Sequence, residues 1–349
     1  MTVFLVDLEA VETRYTGQWK THVPHLLEEA GHAVTVIQGP TDIPNATTPG
    51  AFLNFGGTNI YKARQVEEIA RLFTSGTVVD GDHFLFTDAW HPGIINLKYM
   101  AELLGIKVKI HALWHAGSYD PQDFLGRLIG DADWVRHSEK AFFHAIDYNY
   151  FATDFHIDIF EKNLFAGDVD KSKIIRTGWP MEYMQPTLEV FKELPKRDLI
   201  LFPHRIAPEK QVEIFRDLAA SMPEYEWIVC QDTPLSKVQY HVLLASAKIV
   251  FSANLQETLG ISMYEGALLG AIPLVPDRLS YSEMFAEVWK YPSSWTESFD
   301  SYLEHKQELI ALIRKYMTEY DDWRAMVPQQ AFSLRMHYFS ATALLNNIK

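Results

Sequence analysis

QETLGISMYEGALLGAIPLVP, Gln256 to Pro276, is the stretch on which the reading of this chain turns. Two carboxylates, Glu257 and Glu265, bracket a short apolar run whose glycines and prolines mark where a helix starts and stops. The strand-like KIVFSA ends at Ala253, NLQET reads as a loop, and helix is expected from Leu259 or Gly260. The N–H groups of Thr258, Leu259 and Gly260 at that end, with the helix dipole behind them, are expected to form an anion site. Gly260 lets an anion come close to the backbone.

Eight residues of helix, at about 100° each, bring Glu265 to within about 80° of Glu257, so both carboxylates are expected to face one elongated ligand. A diphosphate flanked by hydroxylated groups, as in a nucleotide sugar, has that form. The alternative is that Glu257 compensates the dipole and Glu265 is a solvated helix residue.

Working outward, strand-like and helix-like segments alternate on both sides. In the first half TVFLVDL, QWKTHVPHLLEEAG, HAVTVIQG and AFLNFGG are followed by RQVEEIARLFTSG, HFLFTDAW, INLKYMAELLG and KVKIHALW. The segment from Glu139 to Phe165 carries little strand signal, SKIIRTGWPM reads as a short strand, and a boundary is placed at Gly178. The alternation then restarts with RDLILFPHR, PEKQVEIFRDLAASMP, YEWIVCQ, LSKVQYHVLLASA and KIVFSA. Strands separated by helices imply βαβ units and parallel sheets. Beyond Ser282 the chain reads as helix. The expected organisation is an N-terminal domain over 1–177, a second over 178–325 and a C-terminal helix over 326–349 that packs back on the first.

Composition narrows the function. The 349 residues are 48% hydrophobic and 22% charged, as in an ordinary globular protein. A net charge of −14 opposes a broadly basic nucleic-acid binder. The single cysteine, Cys230, excludes an internal disulfide and suits a reducing cytoplasm. At the N-terminus the apolar run Val3–Val6 is interrupted by Asp7 and reads as a strand rather than a signal or membrane segment.

Glu257 and Glu265 resemble the Glu-x7-Glu motif of retaining GT-B glycosyltransferases, and ALLGAIPLV is similar to the helix end and Gly-x-Pro-Val strand of that family. LFPHRIAPEKQVEIF resembles the segment that supplies its diphosphate-binding cations. The resemblance implies two Rossmann-like doubly wound domains facing a central cleft, with C-terminal helices. It implies a UDP-sugar as donor, no tightly bound cofactor and no metal. Glu257 would face the sugar, Glu265 the ribose, and Arg205 and Lys210 the diphosphate; a closed site makes such cations most effective as the leaving group gains charge. His204 stands where the family has glycine, and Leu259 where it has an aromatic residue. In the first βα loop, EAVETRYTGQWK has Gly17 in place of a glycine pair.

KIHALWHAGSYDP resembles a family segment with His at the strand end and Gly six residues on, which gives His111 and Gly117, with His115 competing for the sugar contact. FTDAWHPG resembles an acceptor-side segment and supplies Asp88, Trp90 and His91. The pairs Asp80/Asp82 and Asp131/Asp133 match an Asp-x-Asp metal motif only superficially, since Asp-Gly is turn chemistry. The opening residues resemble those of short tailed-phage enzymes that glycosylate hydroxymethylated pyrimidines in DNA. A local basic rim of Arg14, Lys20, Lys62, Arg64 and Arg71, with Tyr15, Trp19 and Trp90 to stack on an extruded base, would serve such an acceptor. Glycans and small metabolites are the other acceptors, and a nucleotide-sugar binder, epimerase or phosphorylase the other activities. No strongly basic amphipathic helix argues for membrane docking.

Overall fold

The computed structural model describes residues 1–11, 14–44, 46, 53–130 and 132–349. The chain divides into two compact units, one of residues 1–180 with 341–349 and one of residues 181–340.

The first unit is built on six parallel strands: β1 (Thr2–Val6), β2 (Ala33–Ile37), β3 (His83–Phe86), β4 (Lys109–Leu113), β5 (Tyr148–Phe151) and β6 (Ile174–Arg176), in the order β2-β1-β3-β4-β5-β6. Phe4, Val6, Phe84, Phe86, Ile110 and Ala112 are buried because helices cover both faces, which is why these strands read as nearly continuous apolar runs. Helix Gly93–Leu104 stops at Gly105, whose left-handed backbone (φ 71°) closes the helix end.

The second unit carries β7 (Leu199–Phe202), β8 (Glu226–Val229), β9 (Ile249–Phe251), β10 (Ile272–Pro276) and β11 (Lys290–Tyr291), all parallel, in the order β11-β10-β9-β7-β8. In both sheets the first strand of the unit lies between the second and the third. Chain direction therefore reverses there, between β1 and β3 and between β7 and β9. In an open parallel sheet that reversal parts the loops at the C-terminal strand ends and makes room for a ligand.

Three expectations change. AFLNFGG is not a strand over its described part, because Asn54 accepts the Gly57 N–H and caps the helix Phe55–Thr74, while Ala51 and Phe52 lie outside the described residues. The segment with little strand signal contains β5, a strand of only four residues lying between β4 and β6. After Ser282 the chain does not run straight into helix: β11 adds to the sheet edge before the long helix Phe299–Thr318.

Candidate functional site

In the second unit the loops after β7 and β9 meet at the reversal point and are tied to each other. Leu255 N–H donates to the Glu209 carbonyl at 2.8 Å, Lys210 Nζ to the Gln256 carbonyl, and Gln211 Nε2 to the Ala253 carbonyl at 2.6 Å. Arg278 braces them from the loop after β10, giving Nε to the Asn254 carbonyl at 2.7 Å and Nη2 to the Ala253 carbonyl at 2.8 Å.

Glu257 sits within this frame. One carboxylate oxygen accepts the N–H groups of Thr258 and Leu259 at 3.2 and 3.3 Å; the other lies 3.3 Å from Asn254 Nδ2 and 3.6 Å from Lys210 Nζ. Burial opposes its charge, but Lys210 first, then the amides of Gly260 and Leu259, outweigh that and hold the carboxyl below its ordinary value. Lys210 is itself pulled down by burial and by Arg205, with Glu257 opposing. Arg205 is pinned by the buried Glu209, which takes Nε at 3.1 Å and also Nη2.

His204 is buried, and burial, with Lys210 next, lowers it to about 3, so the ring is neutral. Its Nδ1 faces Asn254 Nδ2 at 3.5 Å, which leaves the proton on Nε2, and that atom has no partner. Asn254 Oδ1 is likewise buried without a partner. Two orphaned polar atoms, one donor and one acceptor, thus lie beside the two cations. Each costs about 1–3 kcal/mol unless a ligand satisfies it.

The geometry of the motif differs from the expectation in one respect. Only Ile261–Leu268 is helical and Gly260 is left-handed (φ 66°), so the eight-residue spacing does not run through helix and the angle between the carboxylates does not follow from it. The N–H groups of Thr258 and Leu259 hold the Glu257 carboxylate rather than standing open. Glu265 accepts from Tyr240 Oη at 2.9 Å; burial raises it to about 7, with Tyr240 and Lys237 opposing. Asn254, Tyr240 and Arg278 carry no signal in the sequence, since each matters through a contact made far along the chain.

In the first unit the corresponding strand ends hold a denser network. Gly93 N–H donates to His91 Nδ1 at 2.9 Å, so Nε2–H points to Gln65 Oε1, 2.9 Å away. Gln65 Nε2 in turn bonds the Asp7 and Ile37 carbonyls at 2.9 and 2.8 Å. His91 is buried and lowered to about 3 by burial first and Lys62 second. His111 is fully buried, with Nδ1 2.6 Å from Tyr150 Oη, Nε2 3.0 Å from His83 Nδ1 and its ring stacked on Tyr148. Both ring nitrogens of each histidine have a partner within this unit, which leaves none for a sugar or an acceptor.

His115 donates Nε2–H to the Thr87 carbonyl and accepts the Tyr15 hydroxyl at 2.6 Å, in an aromatic cluster with Trp19 and Trp179. The indole N–H groups of Trp19 and Trp179 have no acceptor. Gly17 is in the first turn of the neighbouring helix Thr16–Glu29. Asp88 takes Lys62 at 2.7 Å and the Trp90 N–H at 3.0 Å; burial opposes its charge, but Lys62 leads the groups that hold it at about 2. Trp90 Nε1 donates to the buried Glu139 at 3.0 Å. Gly117 is needed for packing, since a Cβ there would lie 2.3 Å from the Tyr119 ring and 2.7 Å from Glu139 Oε1.

No family model and no curated protein matches this sequence, but solved structures do. Sucrose-phosphate synthase from Thermosynechococcus elongatus superposes with a TM-score of 0.64 at 12% identity, over 99% of this chain and 97% of that one. The α,α-trehalose 6-phosphate synthase of Burkholderia multivorans gives 0.61 at 10% identity, over 99% and 94%. Anabaena Alr3699/HepE, solved with UDP and glucose, gives 0.58 at 11% identity, over 98% and 97%. The chain has the GT-B fold.

Within this GT-B chain Asp80 and Asp82 serve the backbone. Asp82 accepts the N–H groups of Thr2 and Val79 at 2.8 and 3.0 Å, and Asp80 accepts that of Lys107 at 2.8 Å. Asp131 lies outside the described residues and Asp133 opens a helix. Among the described residues no three His, Cys, Asp or Glu side chains gather to hold a metal ion. No described helix is long and apolar enough to cross a membrane.

Proposed function

We propose that this chain is a retaining glycosyltransferase that moves a sugar from a nucleoside-diphosphate donor, a UDP-sugar, to an acceptor hydroxyl. The observation that carries the proposal is the assembly at the reversal point of the second sheet: Lys210, Arg205 and Glu257 beside the orphaned His204 Nε2 and Asn254 Oδ1. Two cations and an unpaired N–H suit a diphosphate, and the Glu257 and Glu265 carboxylates suit hydroxyl groups. Glu257 serves the sugar and Glu265 the ribose. In the free chain Glu257 holds the amides of Thr258 and Leu259; donor binding exchanges that carboxylate for a phosphate, freeing Glu257 to accept from the sugar's hydroxyls.

Transfer then proceeds on one face of the sugar. The bond from the anomeric carbon to the phosphate oxygen breaks with its electron pair going to the phosphate, which Lys210 and Arg205 stabilise. The acceptor oxygen bonds to the same face, and its proton passes to the departing phosphate oxygen. Positioning and charge stabilisation, with no ion required, are the protein's share. The cytoplasm is the compartment we assign, in keeping with one buried cysteine.

For the acceptor, a base in DNA is less well served than the sequence suggested. Lys20 is tied to Asp7 and Tyr61, Lys62 to Asp88, and Arg64 and Arg71 share Glu67, so four of the five rim cations already face a carboxylate. Trp19 is buried in its aromatic cluster rather than presented for stacking. The test is nucleoside diphosphate release from a panel of UDP-sugars, with and without saccharides or hydroxymethylcytosine-containing DNA. A transferase releases UDP rapidly only with an acceptor and keeps the anomeric configuration. A binder releases none, and an epimerase interconverts sugars without an acceptor.

A further inference from the structure

The second unit has a hollow of about 420 Å³ where the helix Ile261–Leu268 ends beside the helix Val327–Tyr338. Its lining carries three cations, Lys192, Arg324 and Arg335, and one carboxylate, Glu193, in a chain whose net charge is −14. An excess of positive charge in a concavity concentrates anions. Lys192 is ion-paired with Glu189 at 2.5 Å, a contact between partly exposed groups that holds weakly. Arg335 gives Nη1 to Gln185 Oε1 at 2.5 Å and lies 5.4 Å over the Phe332 ring, and neither of these two partners neutralises it. Arg324 stands over Gly270: a Cβ on that glycine would lie 3.4 Å from Arg324 Nε and 4.0 Å from Lys196 Cε. Those two cations crowd each other. Burial first and Arg324 second pull the Lys196 ammonium down to about 7, a repulsion that an anion beside Arg324 relieves. A helix C-terminus by itself disfavours an anion, but Lys196 Nζ donates to the Leu269 carbonyl at 2.9 Å and covers that end.

We infer that this hollow binds a small phosphate monoester, with the phosphate drawn to Arg324 and Arg335 and the carbon portion laid on Pro328 and Phe332. Guanidinium forks match phosphate oxygens, and two of them favour a dianion over a single carboxylate. Pro328, Phe332 and Arg335 stand at i, i+4 and i+7 and so share one face of their helix, which sets apolar surface next to a cation. Phe332 is 58% exposed, so its ring has surface left to cover. The volume far exceeds one phosphate and falls in the range of small-molecule sites. This site is separate from the donor site and does not rest on the donor reading. Gly260 precedes and Leu269 follows a helix of eight residues, about 12 Å long, and only its far end borders the hollow.

The test is calorimetric titration of the full chain, saturated with UDP so that the diphosphate-binding loops are occupied, with phenyl phosphate, inorganic phosphate, benzoate and phenol. Phenyl phosphate should bind with a Kd below about 1 mM, more tightly than inorganic phosphate or benzoate, and phenol should not bind. Arg324→Gln and Arg335→Gln should each weaken phenyl phosphate about fivefold or more, and Arg324 is exposed, so that variant keeps its fold. Phe332→Ser should weaken phenyl phosphate about threefold and leave inorganic phosphate unchanged. No binding of phenyl phosphate, equal affinity in wild type and both arginine variants, benzoate binding as tightly, or a glutamate-rich peptide binding where phenyl phosphate does not, overturns the assignment. A chain that binds no UDP overturns the donor reading alone, and the same titration without UDP then decides this site.

Discussion

Replacing Glu265 by glutamine, and titrating the pair of proteins between pH 6 and pH 8, probes the donor site through a group whose ionisation is unusual. Burial raises Glu265 to about 7 against an ordinary 4.5, although Tyr240 and Lys237 favour the charged form. If the ribose hydroxyls require an acceptor-only carboxylate, UDP affinity follows the ionised fraction, which is about 1/11 at pH 6 and about 10/11 at pH 8, a rise of about tenfold. Binding near pH 7 should also release close to half a proton, measurable by calorimetry in buffers of different ionisation enthalpy.

Glu265→Gln should remove this part of the pH dependence, while titration of the diphosphate itself remains in both proteins and cancels in the comparison. Stability runs the other way. A carboxyl raised in the folded state contributes fully below the unfolded value and loses that contribution as pH climbs from about 4.5 through about 7, a change on the order of 3 kcal/mol. The variant should therefore gain melting temperature relative to wild type at pH 8 and not at pH 4. Identical pH profiles of UDP affinity in the two proteins would refute the assignment of Glu265 to the ribose.

Lys210→Met should lower transfer by about 100-fold or more with a modest change in melting temperature, since a preorganised cation acts mainly on the developing phosphate charge; a kcat within threefold of wild type speaks against the diphosphate role. Gly260→Ala forces a side chain into a left-handed backbone, at about 1–2 kcal/mol, and sets its Cβ 2.7 Å from the Tyr281 ring, so both denaturant stability and UDP affinity should fall. Gly117→Ala should cost about 1–3 kcal/mol in urea titration by overpacking against Tyr119 and Glu139 while leaving UDP affinity within twofold. The chain carrying His111→Phe should bind UDP as wild type does, because that ring is closed off by Tyr150 and His83; loss of UDP binding in a folded variant would restore it to the site.

What was legible in the sequence was whatever depends on neighbours along the chain. The apolar runs of β3, β7 and β9 announce buried parallel strands because helices cover both faces. Arg205, Lys210 and Glu257 were visible by type, and the loops after β7 and β9 bring Lys210 to 3.6 Å from Glu257. The strand β5 was missed because four residues among aromatic-rich helices give no period to read. His91 and His111 looked available because a histidine's sequence context says nothing of its partners; Gln65, Tyr150 and His83 lie 26 to 39 residues away.

The sequence by itself therefore determined the two βα series, the turn chemistry and the inventory of charges, since backbone preference and hydrophobic period are local. Tertiary structure alone decided which of those charges is spent on the fold and which is left for a ligand. Strand order places β7 beside β9, and that adjacency sets His204 against Asn254, each buried with a polar atom unpaired.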